Sequence, residues 1–249
     1  MKTIITLLAF AVLPSLVFAQ NAKKKKGKVQ ESVQQDQAPK KKSVAATMYE
    51  TASKNGDFEV ARAALYYMLA ENPENYHLKD SLARIYLAQG YYFLADKMAS
   101  EVLEKEPDNQ QVMEIKAISL QAMGNLKESV DYYEKLFNNG ERIQHGYQLA
   151  VLQYNLQRYG ECNATADFII KSPNGAEEKV YLNYGENKGQ EVSLKAACHN
   201  LKGVMFKDLQ KTEEAKQQFE AAVQAMPDFV LAIENLKSLN SFTQPEIDK

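Results

Sequence analysis

Residues 82–107 read LARIYLAQGYYFLADKMASEVLEKEP and contain two apolar helical segments on either side of Gly90. Glycine at the end of a helix adopts the left-handed conformation that other residues resist. Ala95, five residues further on, is small enough for the returning helix to approach closely. Pro107 ends the second segment, because proline cannot continue a helix interior. The stretch therefore predicts a helical hairpin.

The same landmarks recur at an interval of 34 residues along the chain. A unit of this length cannot bury the apolar faces of its own short helices, so copies must stack to build one continuous core. The interval therefore predicts a repeat architecture that binds rather than catalyses. The recurring positions are Gly56, Gly90 and Gly124 for the turn, Ala61, Ala95 and Ser129 for the small residue, and Pro73 and Pro107 for the end.

The second unit resembles the tetratricopeptide repeat, whose pattern combines a bulky residue, Leu-Gly or Leu-Ala, an aromatic residue, two alanines and a proline. The resemblance implies an all-α, right-handed solenoid of five helical hairpins. The helical region is predicted at 43–240, with repeats near 42–75, 76–109, 110–142, 143–176 and 196–229. The residues of the second unit that carry the resemblance are Leu82, Ala83, Tyr86, Gly90, Tyr92, Ala95, Ala99, Val102 and Pro107.

Two segments interrupt or end the array. The period places the fifth repeat near 177, yet its landmarks start near 196, which leaves an insertion at 177–195. Alternating Val180, Leu182 and Tyr184, followed by turn residues, predict a β-hairpin there. The insertion is either part of a binding face or an inert surface loop. Residues 229–239 are predicted to form a C-terminal capping helix, followed by a flexible terminus at 241–249.

The amino terminus has the features of a secretory signal peptide at residues 1–19. Lys2 precedes the apolar run Ile4–Leu13, and Val17-Phe18-Ala19 supplies small residues at a cleavage site after Ala19. The protein is therefore expected to be exported and periplasmic. A retained anchor is the second interpretation, although the apolar run is short for a membrane span and contains Pro14. A lipoprotein is not expected, because no cysteine lies at the cleavage point.

Residues 20–42 form a basic segment that is predicted to be disordered, because its composition cannot bury a core. Eight lysines and two acids give it a net charge of +6, whereas residues 43–249 hold 21 basic and 30 acidic residues, a net charge of −9. The segment is either a solubilising spacer or a contact for an anionic lipid surface, a cell-wall polymer or an acidic protein. Nucleic acid is not an expected partner, because an acidic domain repels phosphate. The lysines are Lys23, Lys24, Lys25, Lys26, Lys28, Lys40, Lys41 and Lys42.

The sequence contains no pattern that indicates catalysis. The metalloprotease, paired Cys-x-x-Cys, phosphate-binding glycine loop and nucleophile-elbow motifs are missing from it. His77, His145 and His199 belong to different repeats, so we expect no metal site and no cofactor. Cys162 and Cys198 are interpreted either as a disulfide or as small apolar packing residues. The chain is therefore predicted not to be an enzyme.

The resemblance also implies a concave groove lined by the first helix of every repeat. Tyr147 and Tyr154 are the best candidate anchors for a partner, although tyrosines at helical spacing also pack in cores. The predicted function is a non-catalytic exported adaptor that binds a protein or peptide in this groove; the alternative is an envelope tether that uses the basic segment. The oligomeric state is not predicted. The implied groove residues are His77, Asp80, Arg84, Glu114, Gln121, Tyr147, Tyr154, Asn200 and Lys207.

Overall fold

The computed structural model describes residues 43–139 and 143–242, with side chains up to Leu239. The predicted signal peptide at 1–19 and the basic segment at 20–42 lie outside the described residues, as does 243–249 of the predicted flexible terminus. The described part of the chain is helical apart from one β-hairpin, a short 3-10 turn and the connecting loops. Among these residues, none of the helices combines the length and the apolar character that a membrane span requires.

Five helical hairpins follow one another, as the repeat pattern predicts. The β-hairpin and the C-terminal helix lie where the sequence places them, so the predicted fold is confirmed. The C-terminal helix continues to Phe242, beyond the predicted end of the cap. The hairpins are α1 (Val44–Lys54) with α2 (Phe58–Glu71), α3 (Tyr76–Ala88) with α4 (Tyr92–Leu103), α5 (Gln110–Ala122) with α6 (Leu126–Asn138), α7 (Ile143–Asn155) with α8 (Tyr159–Lys171), and α9 (Leu194–Asp208) with α10 (Thr212–Ala225). The remaining elements are the 3-10 turn Pro173–Gly175, strands β1 (Lys179–Gly185) and β2 (Lys188–Ser193), and helix α11 (Val230–Phe242).

The turn inside each hairpin has the same hydrogen bonds. In the second hairpin Gly90 has a φ of +75°, and the Tyr91 N–H donates to the Tyr86 carbonyl at 2.9 Å. This is the Schellman arrangement, which satisfies the last carbonyls of a helix and requires a left-handed residue. Gln157 and Gln210 occupy this position in the fourth and fifth hairpins, each with a φ of +59°. These two hairpins therefore keep the geometry without the glycine.

Replacing Gln157 or Gln210 by glycine is expected to raise the free energy of unfolding by about 0.5 to 1 kcal/mol each. The left-handed conformation costs a residue with a Cβ about 1 to 2 kcal/mol, and the greater freedom of glycine in the unfolded chain offsets part of the gain. Gly90→Ala is the matched reverse change and is expected to destabilise by about 1 to 2 kcal/mol. Urea unfolding measures all three. A loss of stability in Gln157→Gly would contradict this account of the turn.

The small residue that follows each turn is fully buried in all five hairpins. These residues let the second helix pack closely on the first, as the sequence pattern predicts. Ser129 also donates its hydroxyl to the Ala117 carbonyl at 2.8 Å, so its polar group is satisfied inside the core. The buried small residues are Ala61, Ala95, Ser129, Cys162 and Ala215.

The β-hairpin lies between the fourth and fifth helical hairpins in the chain and contacts the start of the C-terminal helix. Its strands are antiparallel, with Leu182 and Val192 buried against the helices. The Gln190 amide donates to the Asp228 carbonyl at 2.8 Å and accepts from the Val230 N–H at 3.1 Å, so it holds the start of α11. This insertion is therefore packed into the array rather than projecting from it.

Candidate functional site

The predicted groove residues lie on the first helices of hairpins two to five. His77 is exposed, and Asn200 and Tyr147 are buried; the other six are partly exposed. We use the term first-helix surface for the partly exposed residues Asp80, Arg84, Glu114, Gln121, Tyr154 and Lys207, together with Gln111.

Arg84 is held in place by two neighbouring repeats. Its Nε lies 3.0 Å from Asp80 Oδ1, one helical turn away, and its Nη2 donates to Gln111 Oε1 at 2.8 Å. The Arg84 and Asp80 side chains are each 24% exposed. Because the guanidinium is already oriented, a ligand that binds it does not have to order a flexible side chain.

Glu114 and His145 meet between the third and fourth hairpins. Glu114 Oε1 lies 3.5 Å from His145 Nε2, and the imidazole is buried beside the Tyr133 ring. Burial, with a smaller contribution from the Glu114 carboxylate, raises the pKa of Tyr133 above its ordinary value. His145 was not predicted to be a neighbour of this surface, because it does not occupy one of the helix positions expected to face the groove. Its side chain contacts the preceding hairpin instead.

Tyr154 connects the fourth and fifth hairpins. Its hydroxyl donates to Asp208 Oδ2 at 2.5 Å, and its ring lies 6.0 Å from the Tyr159 ring. Desolvation and the hydrogen bond to Asp208 raise the pKa of Tyr154. Three contacts between successive repeats, at Arg84, Glu114 and Tyr154, therefore join the first-helix surface into one polar strip.

Helix α11 covers the fifth hairpin's share of this strip. Asn235 donates to Asn200 Oδ1 at 2.9 Å, and Lys207 Nζ donates to Ser238 Oγ at 3.3 Å. Asn200 is buried by this contact. The two candidates on α9 thus contact the cap, and the accessible strip runs over hairpins two to four.

Tyr147 packs in the core, which is the second of its two sequence interpretations. It is 2% exposed and belongs to the same buried cluster as Cys162 and Cys198. Burial raises the pKa of Tyr147 and likewise raises the pKa of the Cys162 thiol to about 12. Cys162 and Cys198 are free thiols rather than a disulfide, and such protonated, buried thiols are poor nucleophiles.

An aromatic cluster on the first and second hairpins has no counterpart in the sequence predictions. The Arg62 guanidinium lies 5.7 Å from the ring centres of both Tyr86 and Tyr91, and the Tyr66 and Tyr86 hydroxyls are 2.7 Å apart. Arg62 also donates to Gln89 at 2.8 Å. The exposed aromatic residues of α2 and of the start of α4 were a signal for this cluster, but they fall outside the first-helix positions.

In the described ranges, no three residues of the His, Cys, Asp and Glu types form a group that could hold a metal ion.

The stacked hairpins define a helical-repeat protein with an extended surface, the architecture of a binding scaffold. The tetratricopeptide repeat model matches residues 52–118. This match and the fold support a protein of the tetratricopeptide-repeat type.

Solved structures share the fold over most of the chain. YrrB, described as a tetratricopeptide-repeat protein with an unusual peptide-binding site, is 15% identical, with a TM-score of 0.63 over 78% of this chain and 90% of that one. A tetratricopeptide-repeat protein from Parabacteroides merdae is 18% identical, with a TM-score of 0.62 over 79% and 71%. MamA is 13% identical, with a TM-score of 0.58 over 72% and 94%. The comparison with curated proteins finds no match.

Proposed function

We propose that the protein is a non-catalytic exported adaptor that holds an extended segment of a protein or peptide along the first-helix surface. The observation that carries the proposal is the polar strip formed by contacts between successive repeats, from Arg84 and Gln111 to Tyr154 and Asp208. Such a strip offers side-chain donors and acceptors to a peptide backbone at regular intervals. Export is proposed from the sequence of residues 1–19.

Arg84 is the residue that we expect to contact the ligand most strongly. Its bonds to Asp80 and Gln111 use Nε and Nη2 of a group that has five N–H donors. In our proposal, Nη1 donates to a carbonyl or carboxylate of the bound segment. The peptide-binding site named for YrrB supports a peptide ligand for a protein of this fold.

Arg84→Ala combined with Gln121→Ala is expected to weaken partner binding at least about tenfold, or about 1.4 kcal/mol. The partner would first be captured with the chain from its native source and identified, and its affinity would then be measured by calorimetry. Arg62→Ala is the matched control. The Arg62 side chain is also held by neighbouring side chains, but it lies on α2, the second helix of its hairpin. Equal affinity for the double variant and the control would reject the first-helix surface as the binding site.

Envelope tethering through residues 20–42 is the second candidate function, and the division of charge favours it: +6 in this segment against −9 in the rest of the mature chain. Replacing its eight lysines by glutamine is expected to abolish binding to vesicles that contain anionic phospholipid, because about 1 kcal/mol per lysine is lost near such a surface. Unchanged vesicle binding, or none by the unaltered chain, would contradict lipid tethering.

A further inference from the structure

The outward face of α2 carries a stripe of exposed apolar residues. Val60 and Tyr67 are 37% and 67% exposed, and Ala63 and Ala70 are also exposed. These four residues follow one another at intervals of three and four, which is the spacing of a seam that packs against another helix. We use the term α2 seam for Val60, Ala63, Tyr67 and Ala70.

The same positions carry polar residues in the second helices of the other hairpins. Each of those four helices has a charged residue in at least one of the positions, whereas the α2 seam has none. Contact with water suits charged side chains, but a continuous exposed apolar stripe marks an interaction surface. The equivalents are Glu128, Asp131, Lys135 and Asn138 in the third hairpin, and Glu214, Gln217, Ala221 and Gln224 in the fifth.

We propose that the α2 seam joins two copies of this protein, with their α2 helices antiparallel about a two-fold axis at the level of Leu65. Val60 of each copy then lies opposite Ala70 of the other. Ala63 in the same way lies opposite Tyr67. Each large side chain meets a small one, so the two helices can approach closely. A parallel pair would instead bring the two Tyr67 rings against each other.

The charged residues beside the seam are compatible with this antiparallel pair. Glu59 of one copy approaches Glu71 of the other, once at each end of the seam. Both residues are exposed, so water weakens their repulsion. Arg62 lies 3.8 Å from Glu59 in its own chain and supplies a positive charge at the same place. The apolar contact is therefore not opposed by an uncompensated charge.

Tyrosines beside the seam bring the contact to the size of a small interface. Tyr66 and Tyr91 are 46% and 48% exposed, and the Tyr91 ring adjoins α2 because its centre lies 5.7 Å from the Arg62 guanidinium. An aromatic side chain has a surface of about 150 to 250 Å², so these two and Tyr67 expose about 300 Å² in each copy. With the rest of the seam and its flanking residues, two copies bury about 1,000 Å², the lower limit of a specific interface. We therefore expect a reversible dimer.

Ala63→Glu tests the proposal, because it places a charge in the middle of the seam. Light scattering on the full chain over a range of concentrations gives the dissociation constant of the dimer. Ala63→Glu is expected to raise this constant at least about tenfold. Gln217→Glu is the matched control, since it adds the same charge at the equivalent exposed position of the fifth hairpin, and it is expected to change the constant less than about twofold.

Circular dichroism checks that both variants keep the helix content of the unaltered chain. An unaltered chain that is monomeric at every concentration would overturn the proposal, as would equal dissociation constants for the two variants. A monomeric chain that binds a different protein through the seam, and loses it in Ala63→Glu, would also overturn it and assign the α2 seam to that protein.

Paired cysteines test the antiparallel register. Val60→Cys chains mixed with Ala70→Cys chains are expected to form an intermolecular disulfide under oxidising conditions, because a disulfide needs Cα atoms within about 7 Å. Neither variant is expected to cross-link by itself through these positions, since two copies of one residue would lie about 15 Å apart along the helix. A dimer in which the mixture does not cross-link would overturn the proposed arrangement.

Discussion

Tyr147→Ala is expected to lower the free energy of unfolding by about 3 to 5 kcal/mol. Tyr147 is 2% exposed and packs with the buried Cys162 and Cys198 between the fourth and fifth hairpins. The change removes the transfer energy of an aromatic side chain and leaves a cavity in a close-packed region. Urea unfolding followed by circular dichroism measures the loss.

Tyr67→Ala is the matched control, because Tyr67 is a helical tyrosine that is 67% exposed. Its replacement is expected to change the stability by less than about 0.5 kcal/mol. If Tyr147 is instead an anchor for a partner in the groove, the same variant gives a different result. If Tyr147→Ala unfolds like the unaltered chain but loses affinity for the captured partner, Tyr147 is a groove anchor and its place in the core is wrong.

Phe219→Ala is expected to cost a similar amount, about 3 to 5 kcal/mol. Phe219 of α10 is fully buried and lies against Gly203 of α9. Its ring fills the space that the missing side chain of Gly203 leaves, so its loss opens a cavity inside the last hairpin. Phe93→Ala serves as the control, since Phe93 is 69% exposed, and thermal unfolding compares the two.

The contact between Gly203 and Phe219 predicts that their substitutions are not additive. A Cβ on Gly203 would lie 2.4 Å from Phe219 Cε1, so Gly203→Ala alone is expected to destabilise by about 1 to 3 kcal/mol. In the Phe219→Ala background the new methyl group enters the cavity, and the same change is expected to be close to neutral. The same cost in both backgrounds would show that the two residues do not share this space.

The array could be predicted because its landmarks depend on local chain geometry. A left-handed turn favours glycine and a close helix contact needs a small side chain, so Gly90 and Ala95 indicate the hairpin by themselves. The turns at Gln157 and Gln210 carry no such signal. There the hydrogen bonds of the turn hold a glutamine in the left-handed region, and these bonds depend on the packing of the whole hairpin.

The candidate site was only partly predictable, because helix position does not determine burial. Arg84 and Tyr154 lie on the first helices as expected, with accessible side chains. Asn200 has the same position in its repeat as Asp80 and Glu114 but is buried because α11 packs over it. The cluster around Arg62 depends on the approach of α2 to the next turn, a contact between repeats that no single repeat motif contains.

The two hydrogen bonds between the Gln190 side chain and the start of α11 have a mechanical consequence. Repeat arrays transmit stability mainly between neighbours, so one end can unfold while the other stays intact. Gln190 joins the β-hairpin to the start of α11, and both elements contact the fifth hairpin, whereas α1 has a neighbour on one side only within the described residues. Under a pulling force on its two termini, the protein is therefore expected to extend from its amino-terminal hairpin first and to resist longest at its carboxy-terminal end.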